Sequence, residues 1–109
     1  MRKDFLAAML MGVMAAAATA PARAGDAKAV PLTGKKYAKE ATVGLDEARA
    51  AALKVFNGEI VGQELEKERG GSGLRYSFDI KNGRVTHEVG IDAKTGKVLE
   101  DSVEGAHHD

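Results

Sequence analysis

The chain has no cysteine and no tryptophan, only two prolines, and just three Phe and two Tyr among 109 residues. Without cysteine there is no disulfide staple, and lipid attachment through a cysteine is excluded. So few aromatics leave Val, Ile, Leu and Ala to build the core. A charge of one sign is missing too, since 16 Lys and Arg balance 16 Asp and Glu. That balance removes the electrostatic footprint expected for nucleic acid or anionic lipid. A long hydrophobic run is also absent. The longest apolar one, Phe5 to Ala18, has 14 residues, short of the roughly 20 a membrane span needs.

What the start does contain is an export signal. Arg2 and Lys3 precede the uncharged run, and Ala22-Arg23-Ala24 gives the small-x-small pattern that signal peptidase accepts. A cut after Ala20 would place Pro21 directly beyond the broken bond, which favours cleavage after Ala24. The expectation is a periplasmic or secreted protein with no stable membrane insertion after cleavage. Removing residues 1–24 takes three basic residues and one acidic one, leaving 85 residues with 13 basic against 15 acidic, a net of −2. Gly25 to Thr42 carries scattered Lys, one Pro and two Gly with no sustained period, and reads as a flexible leader. Residues 105–109 read as a disordered His-rich tail. Between them lies one small domain, 43–104. Domains of about 60 residues bury only about 60% of their unfolded surface, which leaves little room for a deep active-site cavity.

Within that domain the period changes once. Leu45, Ala48, Ala52, Val55 and Phe56 form one apolar stripe of a helix. Gly44 falls at its N-cap, Asp46 and Glu47 in its first turn, and Asn57-Gly58 at its end, with Gly58 expected to take the left-handed conformation. An extended segment follows, with Val61 and Leu65 on one face and Glu64, Glu66 and Glu68 on the other. Gly70 to Gly73 links it flexibly to the clearest strand, where Leu74, Tyr76, Phe78 and Ile80 share a face. Asn82-Gly83 is a hairpin signal. A two-residue turn made of that pair sets Ile80 opposite Val85, Phe78 opposite His87, and Tyr76 opposite Val89. The third strand spans about Arg84 to Asp92, and a fourth, Lys97 to Glu100, follows a corner at Asp92 to Gly96. These elements predict an α+β fold, one helix packed on a four-stranded antiparallel meander.

The runs "VGLDEARAAAL", "GEIVGQELEKE", "LRYSFDIKNG" and above all "HEVGIDAKTGKVLE" resemble the PepSY domain family over Val43 to about Val103. The most specific part is Ile91-Asp92-Ala93-Lys94-Thr95-Gly96-Lys97-Val98. Gly44 departs from the family, which often has Ser or Thr there. The resemblance implies a PepSY-like fold and a non-catalytic module, of the kind found in propeptides of secreted metallopeptidases and in stand-alone exported proteins. It brings no catalytic residues and no cofactor. With no peptidase attached here, it implies a partner bound in trans.

Candidate chemistry is sparse. Asp92, Thr95 and Gly96 offer one carboxylate and one hydroxyl, far from the 6–8 oxygens calcium takes, so a structural turn is expected there. His87 is the titratable residue on the apolar face. Packed on Phe78 and buried neutral, it would make a pH-sensitive core, because charging it near its ordinary pKa of about 6.5 would cost folding energy. His107, His108 and Asp109 would suit weak binding of zinc, copper or nickel. The Glu64, Glu66, Glu68 row reads as a solvated face or as protection of a sheet edge. Gly70 to Gly73 lacks the strand-then-helix context of a phosphate loop.

The expected function is an exported, non-catalytic interaction module, a monomer or weak dimer. It would bind or inhibit a peptidase, or regulate another envelope partner, through an exposed strand edge. The alternative is a periplasmic metal- or small-ligand-binding protein using the C-terminal His-His-Asp tail. A small hydrolase is disfavoured by the lack of a nucleophile–base arrangement.

Overall fold

The computed structural model describes residues 30–104. The expected signal peptide, the first residues of the leader (25–29) and the His107, His108, Asp109 tail lie outside them. In chain order the elements are β1 (Leu32–Thr33), a 3-10 turn (Lys35–Glu40), α1 (Leu45–Val55), β2 (Glu59–Lys67), β3 (Leu74–Asn82), β4 (Val85–Asp92) and β5 (Val98–Glu104). They form an α+β domain in which one sheet runs β1-β2-β3-β4-β5. The sheet has five strands and is mixed: β2 to β5 are the expected antiparallel meander, while β1 adds a parallel pair on β2. No helix among the described residues is long and apolar enough to cross a membrane.

Helix α1 forms where the 3.6-residue period is kept and lies on the sheet's apolar face. Ala48 and Ala52 are wholly buried, and their small side chains let the helix approach closely. Asp46 and Glu47 occupy the first turn, where the helix dipole favours carboxylates, and Gly44 caps it with no side-chain bond. The helix stops at Val55, with Phe56 already extended at φ −146°. Gly58 is not left-handed. A Cβ there would meet the Lys81 carbonyl oxygen at 2.5 Å, so close approach of the backbones is what requires a glycine. Beneath the helix sit Ile60, Leu65, Leu74, Tyr76, Phe78, Ile80, Val89 and Ile91. Burying a side chain the size of Phe78 contributes roughly 1.5–3 kcal/mol. The Tyr76 hydroxyl donates to the Val43 carbonyl at 2.7 Å, which joins the sheet to the chain entering the helix.

Several expectations are corrected. The hairpin register is shifted by two residues: Asn82 pairs with Val85, Ile80 with His87, Phe78 with Val89 and Tyr76 with Ile91. The turn residues are Gly83 and Arg84, not Asn82 and Gly83. Gly83 has φ 64° and Arg84 a negative φ, the II′ pattern in which glycine takes the first central position. Asn82 stays in the strand, where its amide donates to the Asn57 carbonyl at 2.9 Å. A slip of two keeps every side chain on its face, so the apolar alternation alone does not reveal it. In β2 a bulge between Ile60 and Gly62 turns Ile60 inward and leaves Val61 exposed, in place of the expected Val61–Leu65 face.

The segment read as a flexible leader is structured from Leu32 onward. Leu32 and Thr33 pair with Gln63 and Glu64. The Gln63 side chain donates to the Val30 carbonyl at 2.7 Å and accepts from buried Arg49 Nε at 3.1 Å. Lys67 then pairs with Glu40 at 3.0 Å and lies over the Tyr37 ring.

Candidate functional site

The corner after β4 joins three parts of the domain. Asp92 is 1% exposed. Its Oδ1 accepts from the Lys94 N–H at 2.8 Å, the Thr95 N–H at 3.1 Å and the Ser72 hydroxyl at 2.8 Å. Its Oδ2 accepts from the Ser72 N–H at 2.7 Å. Next to it, the Ala93 carbonyl accepts from the Thr42 and Val43 N–H groups at 3.0 and 2.9 Å, holding the chain that enters α1. Thr95 Oγ1 accepts from the Lys97 N–H at 3.2 Å, and Gly96 turns the chain at φ 81°. A carboxylate has about four acceptor positions, and four donors occupy them. Asp92, Thr95 and Gly96 therefore build a corner that clamps the Gly70–Gly73 loop, which is fixed rather than flexible. Burial alone would push the Asp92 carboxyl up. The N–H groups of Lys94 and Ser72, the Ser72 hydroxyl and the Thr95 N–H outweigh it and lower the pKa from 3.8 to about 2.

His87 does not meet Phe78. Its ring stacks on Phe56, with centroids 3.7 Å apart and planes 6° from parallel, and its Nδ1 lies 2.6 Å from Asp101 Oδ1. The two-residue register shift moves His87 toward the turn of the hairpin, opposite Ile80 and beyond the buried aromatics. Asp101, on β5, provides a carboxylate that the expected apolar surroundings lacked, so the ring is not enclosed by apolar groups alone.

The face of the sheet opposite α1 is acidic. Glu64 and Glu66 lie on it as expected, and Glu66 accepts from the Ser77 hydroxyl at 2.9 Å. Arg75 crosses this face. Its guanidinium reaches Glu100 at 3.2 Å and the Arg69 carbonyl at 3.2 Å. Arg75 Nε has no hydrogen-bond partner among the described residues; Glu68, 4.0 Å away, is a charge contact too long to be a hydrogen bond. Beyond Arg75, Asp79, Glu88 and Glu104 bring carboxylate oxygens within 4.8 Å of one another. Burial raises the Glu88 carboxyl first, and repulsion from Glu100, Asp79, Glu104 and Glu66 raises it further. Burial and then Asp79 raise Glu104; burial also raises Glu66, against the Ser77 hydrogen bond. This trio is not apparent in the sequence, since its members come from three strands. The cross-strand pair Asp79–Glu88 is its trace in the hairpin register.

The two sheet edges differ. The β2 edge is partly covered by β1, while β5 is the sheet's other border and is mostly exposed from Asp101 to Glu104. Val98 and Val103 on β5 are 51% and 45% exposed.

A helix laid on one face of a meander sheet, with the side chains of Gln63, Tyr76 and Asp92 spent on holding backbone, defines a small α+β module. The sequence pattern of the peptidase propeptide and YPEB domain, PepSY, matches residues 42–101, and the chain belongs to that family. Membership points to a peptidase-propeptide-like interaction or regulatory module. No curated protein and no solved structure matches the chain.

Proposed function

We propose that this is an exported, non-catalytic PepSY module that binds a protein partner outside the cytoplasm, a peptidase or another envelope protein, and restrains or regulates it in trans. The observation that carries the reading is the β5 edge, with which no further strand pairs among the described residues, in a sheet whose other edge is partly occupied by β1. A strand edge offers a row of backbone donors and acceptors, and an extended segment of a partner satisfies them by adding a strand. Family membership supports a protein partner, and Arg2-Lys3, the run from Phe5 and Ala22-Arg23-Ala24 support export.

The test places a photo-reactive amino acid at Ser102 on β5 and, as control, at exposed Lys36 beside β1, with cross-linking in intact cells. A covalent adduct with one exported protein from position 102 and none from position 36 is expected. Absence of an adduct from position 102 at native expression would refute the reading.

A further inference from the structure

We propose that the β5 edge accepts, as a sixth strand, an extended segment of a partner in which apolar side chains alternate with lysine or arginine. The proposal rests on the reading of β5 as the binding edge and adds the chemistry of what it binds.

Side chains of an added strand alternate between the two faces of the sheet, so each face of β5 selects every second residue of the partner. On the α1 face, the partner would meet Val98 and Val103, both about half exposed, near the Phe56–His87 stack and Asp101. That face takes apolar side chains, with Asp101 tolerating a cation. On the other face β5 presents Glu100, Ser102 and Glu104, and behind them lie Glu88 and Asp79. Among the ion pairs of the described residues, none reaches Asp79, Glu88 or Glu104. Three carboxylates so close repel one another, as the raised Glu88 and Glu104 carboxyls register. A lysine or arginine beside them relieves that repulsion and gains more than one attraction.

The same charges argue against a second copy of this chain as occupant. Two β5 strands paired edge to edge would set Glu100 and Glu104 on one face against the same row of the neighbour, and like charges across a strand pair destabilise it. The opposite edge is a poorer alternative, because β1 already pairs with Gln63 and Glu64 in its middle and leaves no continuous row of free backbone groups. At Gly34 a Cβ would collide with the Leu65 carbonyl oxygen, which shows how closely that segment is seated.

Three synthetic peptides titrated into the isotope-labelled protein test this by amide chemical shifts: one alternating Lys and Val, its Glu and Val counterpart, and the Lys and Val peptide N-methylated at alternate backbone nitrogens. The Lys and Val peptide should shift Val98–Glu104 amides and weaken as salt rises. The N-methylated peptide, which keeps the charge but loses strand pairing, should bind at least about fivefold more weakly. In the double variant Glu88→Gln, Glu104→Gln the Lys and Val peptide should lose about fivefold in affinity. Equal affinity for the N-methylated peptide, or shifts located away from β5, would overturn the proposal. So would equal binding of the Glu and Val peptide at β5, although that result leaves the edge as a binding site intact. The Ser102 cross-link fails or succeeds independently of all three.

Discussion

At the scale of single residues, Asp92 carries the most. Its four hydrogen bonds join the β4–β5 corner to the Gly70–Gly73 loop, and each N–H would be left without an acceptor if the carboxylate were removed. Asp92→Ala should therefore cost about 3 kcal/mol, since an orphaned buried donor costs roughly 1–3 kcal/mol and more than one is orphaned. Asp92→Asn, which keeps one acceptor oxygen, should cost about half as much. Urea unfolding of both variants measures the difference, and equal losses would mean that the ionised carboxylate as a whole, and neither side-chain volume nor one retained acceptor oxygen, holds the corner. His87 is tested differently. A ring stacked 3.7 Å from Phe56 feels its ring current, so the His87 ring protons should resonate upfield and return toward ordinary shifts in Phe56→Leu. Retained upfield shifts in the variant would show that another ring supplies the effect.

At the scale of elements, β1 decides whether the β2 edge is closed for good or only occupied. It is two residues long, paired in parallel, and depends on Gly34 at φ 88° pressed against Leu65. Gly34→Ala should detach β1 at a cost of about 2 kcal/mol, since both the conformation and the space suit only glycine. Hydrogen exchange should then rise along β2, with β3 to β5 still protected. A uniform rise through all strands would make β1 part of the cooperative core. This element also marks the limit of what the residues disclosed. The helix and β2 to β5 were legible because 3.6-residue and two-residue periods are strong signals over several residues, and Asp92-Ala-Lys-Thr-Gly was legible as turn chemistry. Two residues have no period, and β1 is held partly by a glutamine amide reaching back to Val30. The hairpin register failed for a related reason: both registers bury the same face, and only the choice of Gly83-Arg84 as the turn separates them. The acidic trio needed that register, together with the β4–β5 pairing, before it existed at all.

At the scale of the whole molecule, the carboxylates pull stability in opposite directions with pH. Asp92 has a folded pKa of about 2 against an ordinary 3.8. A depressed folded pKa means stability that is fully present above the unfolded value and is lost as pH falls from near 4 toward 2. The difference is on the order of 2 kcal/mol. Glu66, Glu88 and Glu104 have folded carboxyls raised above 4.5, so their contribution has the opposite sign: it is fully present below 4.5 and is lost as pH rises through their folded values. Glu104 is exposed, so water screens its share, and most of the effect falls to half-buried Glu66 and Glu88. The two trends meet between the windows, which places the stability maximum on the acid side of neutrality, above the range where Asp92 titrates. Thermal unfolding followed by circular dichroism at closely spaced pH values measures the curve. Glu88→Gln should flatten the limb on the neutral side while leaving the steep acid limb in place, and Asp92→Asn should do the reverse. A melting temperature that rises steadily from pH 4 to pH 8 would show that the acidic face is already neutralised in solution, and the excess charge assigned to β5's outer face would have to be withdrawn with it.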